Sequence, residues 1–182
     1  MTARRDGERT GHRSVGRGWN QLLSWIYTRV PALSRRYAAG LDAVAGAVPW
    51  TPARVPLEHA TVALVTLAGV HLRGQPAFDM QNANGDASFR VIPRTVSPAD
   101  LAITHDYYDH AAADRDVNVV FPLERLRELA AAGRIGRVAP RHVGAMGHIL
   151  DREERRLVAE SAPAIARLLK EDGVDYVVLS PG

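Results

Sequence analysis

The spacing of apolar residues changes period along the chain, and the changes predict the elements of an α/β domain. Val62–Leu67 is a continuous apolar and β-branched run that predicts a buried strand, with Gly69 as the turn out of it. Leu123–Ala132 places leucines at three-residue steps before Gly133, which predicts a helix. Further strands are predicted at 100–104, 117–121, 135–139 and 174–179, and further helices at 19–46 and 153–172.

Strands that alternate with helical segments predict a single α/β domain with a mostly parallel sheet flanked by helices. Prolines at positions 49, 52 and 56 predict an extended connector, so the domain is placed at 49–182 and an N-terminal helical extension at 19–48. The stretch 69–98 has no useful period and many turn formers, which predicts a long loop of the kind that often covers a site.

The apolar run 174–179 has the length of a buried strand and is followed by Ser180-Pro181-Gly182. A core strand normally leads into a loop or helix that covers it, so we expect the domain to be incomplete after Gly182. Ligands of open α/β sheets bind beyond the carboxyl ends of the strands, which is where this strand leads.

The basic charge of the chain is concentrated at its start. Residues 1–18 account for the whole formal net charge of +3, because they contain five arginines and only two acidic residues, Asp6 and Glu8. This composition predicts a disordered leader, and no basic stripe on the rest of the chain supports nucleic-acid binding. The apolar face of the helix at 19–46 could serve a membrane or a partner, but few positive charges accompany it, so packing on its own domain is favoured.

The 182 residues contain no cysteine, which excludes disulfides, cysteine–zinc sites and a thiol nucleophile among them. They also contain no apolar run long enough to span a bilayer and no secretory signal pattern. A cytoplasmic protein without a transmembrane segment is the resulting expectation.

Five of the seven histidines follow predicted strand ends, together with several glycines. Imidazoles transfer protons near neutral pH, and glycines let the backbone approach a ligand closely. Each histidine alone could equally be structural, but together they predict a site at one edge of the sheet, beside Gly182. The predicted catalytic residues are His71, His105, Asp109, His110, His142 and His148. The predicted substrate-binding residues are Gly69, Arg73, Arg141, Gly147, Ser180 and Gly182.

The run His105–His110 also suggests a metal site. On a helix, Asp106 and His110 would share a face, as would His105 and Asp109, and such ligands suit a divalent cation. No HExxH spacing is present, however, and Asp106 could simply cap a helix, so no metal is expected. The chain also lacks a glycine motif of the phosphate-binding kind.

Several separate motifs, in order, resemble the selenoprotein B subunits of the glycine/sarcosine/betaine reductases and D-proline reductase. The resemblance extends from about Pro49 to Gly182 and does not include the arginine-rich leader or the first helix. The motifs are Val62–Thr66, Gly69–Arg73, Gln75–Asp79, Gly85–Pro93, Asp116–Leu126 and Gly147–Ile149.

The resemblance implies reductive cleavage of a carbon–nitrogen bond in an amino acid or small amine. It implies a pyruvoyl group on a partner subunit as the activating cofactor, with no cofactor in this chain. It further implies electron carriers of the thioredoxin or selenoprotein type, because a chalcogen anion is the nucleophile of such chemistry.

In members of that family, the selenocysteine or cysteine directly follows a strand that ends in Thr/Ser-Pro-Gly. Ser180-Pro181-Gly182 matches this ending, and the nucleophile is not among the 182 residues. The resemblance therefore predicts truncation at a UGA selenocysteine codon. Two other readings stay open: a non-catalytic binding or scaffold relative, and a metal-dependent hydrolase that uses His105–His110.

Overall fold

The computed structural model describes residues 51–182 and, before them, eight single positions. The predicted leader at 1–18 lies outside the described residues, as does most of the predicted helical extension, so these two boundaries stay predictions. The eight single positions are Trp19, Leu22, Trp25, Ile26, Arg29, Val30, Ala32 and Arg35, all but Val30 helical.

The described part is an α/β structure in which strands and helices alternate. Its strands are β1 Thr61–Thr66, β2 Val70–Leu72, β3 Arg90–Pro93, β4 Leu101–Ile103, β5 Arg137–Val138, β6 Arg141–Gly144 and β7 Tyr176–Ser180. Its α-helices are α1 Ala111–Arg115, α2 Leu123–Ala131, α3 Asp151–Arg156 and α4 Ala162–Glu171.

Strand β1 is the centre of the main sheet. It pairs in parallel with β7 from Val62 to Thr66 on one side, and with β5 and then β6 on the other. Strand β3 pairs antiparallel with the outer side of β6. The prediction of a mostly parallel sheet flanked by helices is therefore confirmed.

All six residues of β1 are buried, and its side chains divide the core into two halves. Val62 and Leu64 lie in the larger apolar cluster, which α2 joins through its inward leucines. Ala63 and Val65 point to the other face, where Leu169 of α4 packs against them. A strand buried on both faces is expected to read as a continuous apolar run, which explains why β1 was predictable from sequence.

A second, two-stranded sheet consists of β2 paired antiparallel with β4. Gly69 makes the connection from β1 to β2 with a φ of +72°. A Cβ atom at this position would lie 2.3 Å from the Thr104 carbonyl oxygen, so both the backbone angle and the space require glycine. This turn brings the end of β4 against the end of β1.

The predicted helix at 153–172 is present as one helical segment, with a π-helical stretch, Leu157–Ser161, between α3 and α4. Pro163 falls in the first turn of α4. Proline lacks an N–H and its ring collides with a preceding carbonyl in a regular helix, so the wider π-helical stretch accommodates it.

Three predictions of elements were wrong. The run 117–121 is not a strand: Asp116 accepts a hydrogen bond from Asn118 N and starts a 3₁₀ turn, Val117–Val119. The stretch 69–98 is not free of regular structure, because it contains β2 and β3. The final strand is present as β7 but lies at the sheet edge, with Leu179 71% exposed, and is not buried.

Strand β6 was not predicted at all, because Pro140 in front of it signals a break. Its backbone is paired on both sides, by β1 and β3, and this tertiary pairing makes residues 141–144 a strand. Among the described residues, no helix is long and apolar enough to cross a membrane.

Candidate active site

The carboxyl ends of β1, β6 and β7 meet at one edge of the sheet because the three strands are parallel. Thr66, the last residue of β1, is in register with both Gly144 and Ser180. Beyond the strands, Leu67 N donates to Ser180 O (2.8 Å) and Gly69 N donates to Ala145 O (2.9 Å). Thr104, just past β4, joins them by donating its N–H to Gly69 O (3.0 Å). Four chain segments therefore enclose one small region.

His105 is a buried polar residue of this region, with 5% of its surface exposed. Its Nδ1 accepts a hydrogen bond from the Tyr107 N–H (3.2 Å), so the neutral ring carries its proton on Nε2. Among the described residues, no hydrogen-bond partner lies near that Nε2. Burial, with the charges of His148 and His110, lowers the pKa of His105 to about 4, against a smaller opposing effect of Asp106. At neutral pH the ring is thus an uncharged N–H donor.

Two tyrosines frame this imidazole. Tyr107 and Tyr108 make edge contacts with His105 at ring-centroid distances of 5.9 and 4.9 Å. Tyr108 donates its hydroxyl to Ala68 O (3.1 Å), and burial raises the pKa of this phenol, so it stays protonated. Tyr107 stacks on the ring of His148 at 3.7 Å between centroids. This stacking contact holds His148 beside His105 and the two tyrosines.

Two glycines bring backbone close to the same point. A Cβ at Gly182 would lie 2.9 Å from Ala68 Cα and 3.1 Å from the Tyr108 ring, so the chain after β7 passes tightly against both. Gly147 is exposed, and a Cβ there would lie 3.9 Å from His105 Nε2. Of the predicted site residues, the structure brings together His105, Gly147, His148 and Gly182.

Other predicted residues lie at the margin of this region. His71 is buried; its Nδ1–H donates to Leu72 O (2.8 Å) and its Nε2 pairs with the hydroxyl of Thr104 (2.9 Å), the residue before His105. His110 pairs with Asp114 at 2.7 Å and contacts the Tyr108 ring.

Asp109 is held by Arg29, at 3.1 Å, and by the Ala111 N–H. The hydrogen bonds from Ala111 and Arg29 lower the pKa of this carboxyl. Ser180, within β7, reaches the region through its backbone. The catalytic roles of these residues stay predictions.

The structure places three predicted residues elsewhere. Arg141 starts β6, at the opposite edge of the sheet from Gly182, and its Nε and Nη2 donate to the Asp172 carboxylate (2.7–3.1 Å). His142 is fully buried, and its Nδ1 accepts from Leu64 N (3.0 Å). Arg73 lies beyond the far end of β2, where its Nε donates to Ala99 O (2.9 Å).

The fold does not support a metal site at His105–His110. The segment precedes α1 and is not helical, so the facing pairs that it would form on a helix do not exist. Within the described residues, no group of three His, Cys, Asp or Glu side chains could hold a metal ion.

Comparison with known proteins shows the family of this chain. A family model described as glycine/sarcosine/betaine reductase selenoprotein B matches residues 40–181. The chain belongs to this family. The matched region includes every strand of the described part, and with them the site around His105.

Several curated proteins that are similar to this chain are named as subunits of reductases. D-proline reductase subunit gamma of Acetoanaerobium sticklandii is 44% identical over 133 residues, covering 73% of this chain and 53% of that protein. Glycine reductase complex component B subunit gamma of Carboxydothermus hydrogenoformans is 30% identical over 135 residues, covering 73% of this chain and 30% of that protein. Sarcosine reductase complex component B subunit beta of Peptoclostridium acidaminophilum is 29% identical over 137 residues, with the same coverages.

The chain thus spans about half the length, or less, of the curated relatives that it matches. The family belongs to multi-subunit reductase complexes. No solved structure matches the chain.

Sequence reasoning missed the tyrosines of the site. Tyr107 and Tyr108 stand inside the run that was singled out, but an aromatic pair is more often core than site, and only the fold shows them around His105. The Leu67 carbonyl, which faces Gly147, leaves no signal in a sequence.

Proposed function

We propose that this chain is a B-type subunit of a cytoplasmic amino-acid reductase that cleaves a carbon–nitrogen bond. The supporting observation is the convergence of His105, Gly147 and Gly182 at the carboxyl edge of β1, β6 and β7, inside the family-matched region. In open α/β sheets this edge is where ligands bind. The similarity to the gamma subunit of D-proline reductase makes D-proline the first substrate to test.

The reaction needs groups from outside these residues. A pyruvoyl group on a partner subunit would activate the substrate nitrogen. A thioredoxin-like or selenoprotein carrier would supply two electrons, its dithiol (or selenol–thiol pair) becoming a disulfide (or selenosulfide) while the carbon–nitrogen bond breaks. The ordinary setting of such dithiols is the reducing cytoplasm.

The proposal assigns the chalcogen nucleophile to the position after Gly182. The 182 residues contain no cysteine, and a selenol or thiol is the group that this chemistry requires. Gly182 packs against Ala68 and Tyr108, so a residue that follows it would stand beside the His105 site. A UGA codon read as selenocysteine is the proposed source.

The test is to purify the protein from its own source and measure its intact mass, its selenium content and its turnover of D-proline. The assay includes a pyruvoyl-containing partner subunit and a dithiol donor. We expect a mass above that of the 182 residues, selenium or a new thiol, and substrate-dependent oxidation of the dithiol. A form with serine after Gly182 is the matched control and should have no turnover.

The absence of cysteine also favours a second candidate function, a redox-inactive binding subunit. A natural product with the mass of the 182 residues and without turnover in the complete assay would contradict the reductase role. It would leave the binding role as the function.

A further inference from the structure

A groove of about 450 Å³ lies beside strand β4, away from the His105 site. All three residues of β4 line it, and residues 113–117 form the facing wall. Successive residues of a strand point to opposite faces, so a groove that contacts all three runs along the edge of the strand and not over one face. No residue of β2, the partner of β4, lines this groove, which therefore lies along the other edge. We call it the β4 groove.

The hydrogen bonds of the two-stranded sheet show which backbone groups of β4 face the groove. Thr104 N donates to Gly69 O (3.0 Å) and Arg73 N donates to Asp100 O (2.9 Å), at the two ends of the β2–β4 pair. Hydrogen-bonded and non-hydrogen-bonded residues alternate along an antiparallel pair. Ala102, midway between these two bonds, therefore directs its backbone groups to β2, and its two neighbours in the strand direct theirs to the groove.

Three of these outward backbone groups have no hydrogen-bond partner among the described residues. The N–H of Leu101 bonds to Pro98 O, but the Leu101 carbonyl and both backbone groups of Ile103 remain open. Edge strands are normally shielded by charged residues, by proline or by a covering segment, and the sequence Leu-Ala-Ile of β4 contains neither a charge nor a proline. The edge thus offers two acceptors and one donor at the spacing of a strand.

The rim of the groove offers positive charge. Arg73 and Arg115 line it and are exposed, and neither has a carboxylate partner in the part of the chain that the structure describes. The two acidic residues of the rim, Asp114 and Asp116, are each already hydrogen-bonded to a neighbouring side chain. The charged groups still open to a ligand are therefore the two guanidinium groups, which favour carboxylates.

We propose that the β4 groove binds an extended, acidic segment of a partner protein, which adds a third strand to the β2–β4 sheet. The segment donates N–H groups to the carbonyls of Leu101 and Ile103 and accepts the Ile103 N–H, and its acidic side chains bind Arg73 and Arg115. Addition of a strand to an open sheet edge is a common mode of peptide recognition, in which the main chain supplies affinity and the side chains supply specificity. This inference goes beyond the proposed function and does not depend on it.

The probe is a fluorescent, capped peptide in which valine and glutamate alternate, and its binding to the full chain is measured by anisotropy. A peptide with lysine in place of glutamate is the matched control and should bind at least about fivefold more weakly. Hydrogen exchange gives the second readout. The Ile103 amide should exchange rapidly in the free protein and slowly in the complex, whereas the Ala102 amide, which faces β2, should be protected in both. Equal binding of the two peptides, or an unprotected Ile103 amide in the complex, would overturn the proposal.

Charge reversal tests the rim. Arg115→Glu and Arg73→Glu should each weaken binding of the glutamate peptide about fivefold or more and improve binding of the lysine peptide. Arg155→Glu makes the same change at an exposed position of α3 that does not line the groove, and should leave both affinities unchanged. Unchanged affinities in both groove variants would contradict the proposed role of the arginines.

A second copy of the chain is the other possible occupant of an open strand edge. In that case the Ile103 amide would become protected as the protein concentration rises, without any peptide. Protection of this kind would overturn the proposal and make the β4 groove an interface between copies. Rapid exchange of Ile103 at all protein concentrations, with protection only by the glutamate peptide, is the result that we expect.

Discussion

Two buried histidines of this protein, His105 and His142, have the same pattern of hydrogen bonding but different surroundings. In His105 and His142, Nδ1 accepts a backbone N–H, at 3.2 and 3.0 Å, which leaves the proton on Nε2. Neither Nε2 has a partner among the described residues, and burial lowers the pKa of each ring to about 4. His105 lies near the exposed Gly147, at the candidate site, whereas His142 lies in the interior, so the same hydrogen bonding occurs in two different surroundings.

Both histidines make stability depend on pH. Between pH 6.5 and about 4 the unfolded chain binds a proton at each ring that the folded chain does not, so the free energy of unfolding falls as pH falls. The expected slope is about 1.4 kcal/mol per pH unit for each ring within that window. Urea unfolding at pH 7.5, 6 and 5 measures it, with the exposed His59→Gln variant as control. Equal stability at pH 7.5 and 5 would contradict the burial of these rings.

The different positions of these histidines in the fold show which parts of the candidate site can be predicted from a sequence. His105 and His148 follow strands whose carboxyl ends meet, so their neighbourhood could be predicted from position alone. His142 was placed after a strand ending at 139, but it is the second residue of β6 and lies in the interior of the sheet, beside Leu64. A shift of a strand boundary by a few residues moves a side chain from the edge of the sheet into its interior. That shift depends on the pairing of β3 with β6, which no local pattern encodes.

At the scale of elements, an ion pair connects β6 with α4. Arg141, at the start of β6, binds the carboxylate of Asp172, which follows the last turn of α4 and is 9% exposed in its side chain. Hydrogen bonds from this guanidinium to Asp172, with a weaker contact to Glu171, raise the pKa of Arg141. Bidentate pairs of this kind fix orientation as well as distance. The pair thus sets the position of α4 over the sheet.

Removing this pair should lower stability and leave ligand binding unchanged. Arg141→Gln and Asp172→Asn should each lower Tm by a few degrees, and the double variant should lower it by less than the sum, because both remove one interaction. Arg155→Gln, at an exposed position of α3, is the control and should not change Tm. A loss of amino-acid affinity in Arg141→Gln, with unchanged Tm, would restore the substrate-binding role that the sequence predicted.

At the scale of the whole molecule, β7 is an edge strand with apolar side chains exposed on both faces. Val177 and Val178 are each 41% exposed and Leu179 is 71% exposed. In the described part, its backbone pairs only with β1. The sequence predicted the strand but not its place at the edge of the sheet. An apolar run is typical of a strand in the centre of a sheet, and equally of an edge strand that another segment or subunit covers.

Exposed apolar edges promote association between copies, and charged side chains suppress it. Leu179→Lys should therefore reduce self-association, measured by light scattering over a range of protein concentrations, without changing the circular dichroism spectrum. Leu129→Lys makes the same change at an exposed position of α2 and is the matched control. Equal association of the two variants would show that β7 is not the adhesive surface.

The pairing of β1 with β7 also limits how early the main sheet can form during synthesis. Thr61 and Asp175, joined by a hydrogen bond where the two strands begin, are separated by 114 positions in the sequence. Ribosomes deliver the chain from its N-terminus, so β1 leaves the exit tunnel long before its principal partner has been made. Contacts of such long range close slowly because the intervening chain must first be ordered. Of the strands in the described part, β1 is thus the first to be synthesised, and it gains its longest pairing only when β7, the last of them, has been made.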